Sequence, residues 1–265
     1  MARTGNKSLK ILQVSDCHVS ADSNARYRGQ SADRNLRKLL PAMRAFNPDL
    51  VLLTGDVSED ASVASYARVA VMLGTVGAPL LALPGNHDDP GVMQKHFPQG
   101  PWHGPFASDM DRWLVVLMDS TEKGKISGSF SQQALEQLDE QLRSSNAEYI
   151  LVALHHQPVP VNAPWIDRYA LENPELFFDF IDGDARVRCI TWGHVHHDFQ
   201  ALRKGVSLLG APSAVANSLP RTGRFTLDLD GPACRWLELG PDGAVDTGIL
   251  RPDQSSTGNT SQSIR

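Results

Sequence analysis

Only three cysteines occur in 265 residues, at positions 17, 189 and 234. An odd, scattered set of this kind excludes a disulfide framework and points to a reducing compartment. No apolar run approaches the roughly 18–20 residues that span a bilayer. The opening MARTGNKSLK holds no apolar segment of signal-peptide type, so a cytoplasmic protein without membrane association is expected. Cationic side chains are outnumbered, 25 Lys and Arg against 30 Asp and Glu, for a formal charge of −5. That balance offers no basic field to nucleic acid or to an anionic lipid surface. Internal repeats, coiled-coil heptads, a Gly-rich dinucleotide fingerprint, a helix–turn–helix and an interleaved basic–aromatic set are missing too. What remains is an ordinary globular composition, 41% hydrophobic and 21% charged. It excludes wholesale disorder and suits one sizeable domain. We expect that domain over residues 1–250 and a disordered polar tail over 251–265.

Short β-rich runs alternate with helical patterns along the first three quarters of the chain. Residues 9–15, 50–54, 79–83, 113–118, 149–154 and 187–192 read as strands. Between them, Leu36, Leu39, Leu40 and Met43 keep the spacing of one buried helix face, with Asp33 as a candidate N-cap and Pro41 predicting a kink or split. Ser62 and Ser131 can cap two further helices, and another helix is expected near 174–181. The 20–32 segment is polar and basic and reads as a loop. Alternation of this kind implies βαβ units and a sheet covered on both faces. After residue 199 the pattern changes to short strands at 206–209, 224–229 and 233–239 between Gly, Pro and Asp turns, so antiparallel hairpins are expected.

Metal-type side chains fall at the ends of the predicted strands. Asp16 and His18 close the first, Gly55-Asp56 the second, and Gly85-Asn86-His87-Asp88 the third. His155 closes a later strand, and Gly193-His194-Val195-His196 another. In open α/β sheets, ligand sites lie beyond the carboxyl ends of the strands, so these five clusters should converge. If the backbone stays extended, Asp16 with His18 and His194 with His196 each share one face, and Cys17 and Val195 turn into the core. Two Asp, one Asn and four His besides His87 are too many donors for one tetrahedral site. They suit two octahedral-leaning ions with a shared carboxylate, and without thiolates they favour Mn, Fe or Zn. His156 and His197 adjoin these residues but should point elsewhere, while His96 and His103 sit in loops and read as solvated.

The ordered set D-x-H, G-D, G-N-H-D, H and G-H-x-H resembles the calcineurin-like metallophosphoesterase superfamily over about residues 9–240. Within it, the HHQPVPV run at 155–161, Trp165-Ile166-Asp167, Leu171-Glu172-Asn173 and Gly210-Ala211-Pro212-Ser213 are similar to bacterial class III 3′,5′-cyclic-AMP phosphodiesterases. Protein phosphatases of the superfamily carry G-D-x-x-D-R-G and G-N-H-E. Here GDVSED lacks the Arg, and Asp88 stands where that pattern has Glu.

The resemblance implies a four-layer α/β/β/α sandwich of two mixed sheets. One metal would be held by Asp16, His18, Asp56 and His196, the other by Asp56, Asn86, His155 and His194. The two ions would be Fe and/or Mn, with Zn as the alternative. A metal-bridging hydroxide would attack phosphorus in a 3′,5′-cyclic nucleotide, cAMP first, to give the 5′-monophosphate. His87 would act on the leaving oxygen, with Asp88 either orienting it or standing as an exposed turn residue. Asn86, His87 and His196 would also meet the substrate. The implied partner is a small phosphodiester, with no nucleic acid and no membrane; a homodimer is compatible with it. Competing readings are 2′,3′-cyclic nucleotides, glycerophosphodiesters, a broad phosphoesterase and a non-catalytic scaffold; a scaffold should have lost donors, and none is missing. Arg26 and Arg28 are contacts for phosphate or base, or solvated loop charges. Trp165 is a base-stacking wall or packs against the domain.

Overall fold

In the computed structural model, which describes residues 7–252, the apolar runs pair into two mixed sheets. The first half of the chain runs β1 (Leu9–Val14), β2 (Arg26–Tyr27), β3 (Gln30–Ser31), α1 (Ala32–Phe46), β4 (Leu50–Thr54), α2 (Val63–Gly74), β5 (Leu80–Leu83), α3 (Pro90–Met93), β6 (Phe106–Met110) and β7 (Trp113–Leu117). It continues with α4 (Gln132–Ser144), β8 (Tyr149–Leu154), α5 (Pro164–Asp167), α6 (Pro174–Ile181), β9 (Val187–Trp192), β10 (Phe199–Arg203), β11 (Val206–Gly210), β12 (Cys234–Leu239) and β13 (Val245–Leu250). One sheet has the order β13-β12-β1-β4-β5, the other β10-β11-β9-β8-β7-β6.

Strand alternation builds the layers. Ile11, Leu50, Leu52, Leu81 and Leu237 of one sheet meet Trp113, Val115, Leu151, Cys189 and Leu209 of the other in a shared apolar layer. The opposite faces of the same strands, with Leu12, Val51 and Leu53, pack on Leu36, Leu39 and Met43 of α1 and Tyr66 and Val69 of α2. Val116, Ile150 and Val152 do the same with Leu135 and Leu138 of α4 and Phe177 of α6. Strands apolar on both faces are what a sheet buried on both sides requires. The result is the expected α/β/β/α sandwich. Among the described residues no helix is long and apolar enough to cross a membrane.

The central strands β1, β4 and β5 run parallel in one sheet, and β7, β8, β9 and β11 in the other. Buried Gln13 of β1 locks the two sheets together near these ends. Its amide donates to the Trp192 carbonyl at 3.0 Å and its carbonyl oxygen accepts from the Thr191 hydroxyl at 2.6 Å.

Some local expectations are corrected. Pro41 does not split α1, because it lies on the exposed face, where the carbonyl deprived of its partner can turn to water. Ser31, not Asp33, occupies the N-cap position; the Asp33 carboxylate accepts from Arg68 at 3.2 Å instead. Residues 224–229 form no strand, only the isolated bridge of Leu227 with Ser218. Ser62 and Ser131 cap as expected, accepting from the amides of Ser65 and Ala134. The 20–32 segment contains the small β2–β3 hairpin. From residue 253 on, the tail expected over 251–265 lies outside the described residues.

Candidate metal centre

Each regular strand stops one or more residues before its polar cluster, and the backbone then turns sharply. Asp16, His18, Asp56, His194 and His196 have φ of 53°, 42°, 49°, 66° and 54°. Left-handed backbone is uncommon for residues other than Gly and concentrates at functional sites. These residues are therefore not extended, and the i, i+2 argument gives the right partners for the wrong reason. It is tight turns, not strand pleating, that aim Asp16 with His18 and His194 with His196 inward. Cys17 and Val195 are fully buried in the core, as expected. Glycine is needed where two turns touch: a Cβ on Gly55 (φ +87°) would lie 2.7 Å from the Gly85 amide, and one on Gly85 would lie 2.2 Å from Asp56 Oδ1.

The five clusters converge. His196 Nε2 lies 3.2 Å from Asp16 Oδ1 and 3.3 Å from His18 Nε2, and His18 Nε2 lies 3.6 Å from Asp56 Oδ2. The other Asp56 oxygen, Oδ1, faces His155 Nε2 at 3.5 Å. Asp56 thus presents one oxygen to each of two donor groups. Imidazole orientation is fixed from behind: His155 Nδ1 bonds the Thr54 carbonyl and His196 Nδ1 the Ala216 carbonyl, both at 2.8 Å. Such bonds select the tautomer whose Nε2 is a free lone pair.

Asn86 Oδ1, His155 Nε2 and His194 Nε2 are buried without a hydrogen-bond partner in the protein, and the His155 and His194 rings lie 5.0 Å apart. Buried polar atoms are nearly always paired, so orphaned nitrogens on two neighbouring imidazoles call for another partner. Oxygen and neutral imidazole nitrogen, without thiolate, are the donor chemistry of Mn, Fe or Zn, and the donors present fit two such ions.

Electrostatics agrees. Burial alone would raise the Asp56 carboxyl, but His155, His18 and His87 reverse the sign and hold it well below the usual range. Burial holds His194 well below its ordinary value and lowers His18 as well, so both stay neutral. Ionised Asp56 beside neutral His18 and His194 is already in ligand form, whereas Asp56 outweighs burial at His155 and pushes that imidazole up to about 9, so its proton must leave when a cation binds. His156, though close to His155 and His194, has both ring nitrogens engaged, by the Ser120 hydroxyl at 2.8 Å and the Ile126 carbonyl at 2.9 Å.

His87 differs from the donors around it. Its side chain is 34% exposed, whereas those of His18 and His155 are 0% exposed, so it opens toward solvent. Its amide donates to Asp56 Oδ1 at 3.0 Å, which pins the turn. The carboxylate beside its ring is not Asp88. Asp88 accepts from the amides of Val57, Ser58 and Gly85 at 2.9–3.1 Å and from the Tyr66 hydroxyl at 3.1 Å. It ties the ends of β4 and β5 together, so neither the orienting role nor the exposed-turn alternative describes it. Glu59 takes the orienting place: its Oε2 lies 3.2 Å from His87 Nδ1 and 2.8 Å from His18 Nδ1. Burial lowers the His87 imidazole, but Glu59 and Asp56 outweigh it and push it up to about 9. Glu59 escapes sequence reading because it stands among neighbouring acids; its spacing three residues after Asp56 in a short loop is the available signal.

Comparison with known proteins follows this geometry. The calcineurin-like phosphoesterase profile matches residues 9–198. A 3′,5′-cyclic adenosine monophosphate phosphodiesterase, CpdA, of Pseudomonas aeruginosa is 36% identical over 248 residues, covering 93% of this chain and 91% of that protein. A 3′,5′-cyclic-nucleotide phosphodiesterase of Nostoc is 31% identical over 245 residues, covering 92% of each. Among solved structures, a dimetal phosphatase of Danio rerio aligns with a TM-score of 0.70 over 93% of this chain and 100% of that one. Its sequence identity of 15% makes this a likeness of fold.

Proposed function

Because the chain belongs to the calcineurin-like phosphoesterase family, we propose that it is a metal-dependent phosphodiesterase that hydrolyses 3′,5′-cyclic nucleotides, cAMP above all, to 5′-monophosphates. The observation that carries the reading is the division of Asp56 between two donor groups, one of them lined by orphaned buried atoms. Asp16, His18, Asp56 and His196 would hold one ion, and Asp56, Asn86, His155 and His194 the other. Cations held by these residues would supply charge neutralisation for the anionic diester and activation of water at neutral pH. Iron or manganese suits the all-nitrogen-and-oxygen donor set, with zinc as the alternative.

The remaining chemistry belongs to side chains. Opening the cyclic diester expels the ribose 3′-oxygen, a poor leaving group that needs a proton. His87 can supply it: Glu59 engages Nδ1 and raises the imidazole against the effect of burial, while Nε2 remains free to donate. Its opening to solvent leaves it accessible to substrate. The substrate is a small molecule, and neither nucleic acid nor membrane enters the reading. The three free, buried thiols suit the cytoplasm.

The test is a substrate panel on manganese-loaded protein: 3′,5′-cAMP, 2′,3′-cAMP, a glycerophosphodiester and a phosphomonoester. The expected result is the highest kcat/KM on 3′,5′-cAMP, with 5′-AMP as product. A tenfold preference for any of the other three would overturn the substrate assignment, and no turnover of any would favour a scaffold.

A further inference from the structure

We propose that Arg28, together with Tyr27, Trp165 and Phe225, forms the subsite that holds the nucleobase, an inference that rests on the cyclic-nucleotide reading above. Three rings from separate parts of the chain gather on one side of the donor cluster. Tyr27 stacks on His18 with centroids 3.7 Å apart and planes 7° from parallel. Trp165 and Phe225 approach His196 edge-on at 6.2 and 6.1 Å, and meet each other at 5.4 Å. These rings rim the His18 and His196 side, so a phosphate at the donors would leave the base beside them, one ribose away.

Arg28 completes the rim. Its guanidinium lies 4.3 Å from the Phe225 ring centroid, 5.6 Å from Tyr27 and 6.0 Å from Trp165. Arg28 also engages the Tyr27 hydroxyl, and among the described residues no carboxylate pairs with it. Aromatic faces hold the cation in place without neutralising it or occupying all its donors, so a ligand with ring-nitrogen acceptors can use them. Purines offer such acceptors as well as a π-face for Trp165 and Phe225.

The turn that carries Arg28 points the same way. Arg28 and Gly29 join β2 to β3 with φ of 50° and 80°, the pattern of a type I′ hairpin. The first position of that turn favours Asn, Asp or Gly, and Arg has no short side chain to relieve left-handed backbone. A residue unfavourable for its turn, held among rings at the mouth of the site, is placed for recognition rather than for folding. Trp165 packs partly against the domain, as one of its two readings had it, and the face it leaves toward His196 is the one assigned here to the base; Arg28 is assigned likewise.

The turn also supplies the control. Arg28→Asn suits the hairpin better, so its Tm should equal or exceed that of the wild type. Its binding should nonetheless fall. Calorimetric titration of manganese-loaded protein with 5′-AMP and with ribose 5-phosphate, which differ only in the base, isolates the subsite. Base–aromatic stacking is worth roughly 5- to 150-fold in affinity, so wild-type protein should bind 5′-AMP at least about tenfold more tightly. In Arg28→Asn and in Phe225→Ala that advantage should shrink below about threefold. An equal loss for both ligands would place Arg28 on the phosphate and overturn the proposal. So would a wild type that does not distinguish the two ligands, or variants that keep the full advantage. Failure to hydrolyse 3′,5′-cAMP with the 5′-AMP advantage intact would sink the functional reading and leave the base subsite standing.

Discussion

Asp56→Ala is expected to lower cAMP hydrolysis by more than about 10³-fold, because losing even a single electrostatic donor in an active site costs about 10²–10³. Metal content should fall at both positions together. The reason is geometric: Oδ2 faces His18 at 3.6 Å and Oδ1 faces His155 at 3.5 Å, so one carboxylate serves both donor groups. The substitution also removes the acceptor for the His87 amide, loosening the turn that carries Asn86. Asp16→Ala should instead deplete chiefly the ion on the His18 and His196 side, since Asp16 approaches His196. Elemental analysis of the purified variants reads the difference. One fully occupied ion remaining in Asp56→Ala would count against a bridging carboxylate.

His87→Ala should keep both ions and lower kcat on cAMP by about 10²–10⁴-fold, the range of a general acid. The imidazole meets His18 edge-on at 4.9 Å without a hydrogen bond to it, and alanine retains the amide that binds Asp56. The leaving group then separates two roles. Ribose alkoxide requires a proton, whereas p-nitrophenolate does not, so hydrolysis of a p-nitrophenyl phosphodiester should suffer far less. Equal losses on both substrates would assign His87 to electrostatic stabilisation of the phosphoryl oxygens. Glu59→Gln should lower kcat by roughly 10- to 100-fold, because a neutral amide replaces the carboxylate that orients the His87 ring and also backs His18. The same substitution should also lower the pH at which the alkaline limb of activity falls away. The Glu59 bond is the leading influence raising the His87 imidazole, and without it the proton is lost as pH rises through a lower value. Loss of metal from His87→Ala would end its assignment to the substrate.

The interior of the fold was legible because strands buried on both faces are apolar throughout. β4, β7 and β8 have burial patterns with little or no exposure, and their bounds match the apolar runs almost residue for residue. The edge strands β6, β10 and β13 were missed, since a half-exposed strand such as Phe106–Met110 carries Ser and Asp where core strands carry Val and Leu. Convergence of the clusters was legible from strand-end placement alone. The local geometry was not, because extended backbone and a left-handed turn both bring alternate residues to one side, and only coordinates distinguish them. Asp88 drew attention by standing next to His87, while its carboxylate in fact bonds three backbone amides. Glu59 lay in a run of acids in which residue type alone cannot say which one reaches the imidazoles.

Anomalous diffraction from crystals of the manganese-loaded protein tests the central claim most directly. The account predicts two peaks roughly 3.5–4 Å apart, the spacing of two-metal hydrolytic sites. One should lie among Asp16, His18 and His196, the other among Asn86, His155 and His194, with an Asp56 oxygen reaching each. A single peak at full manganese occupancy, or a pair that leaves Asn86 and His194 without a cation, would contradict it.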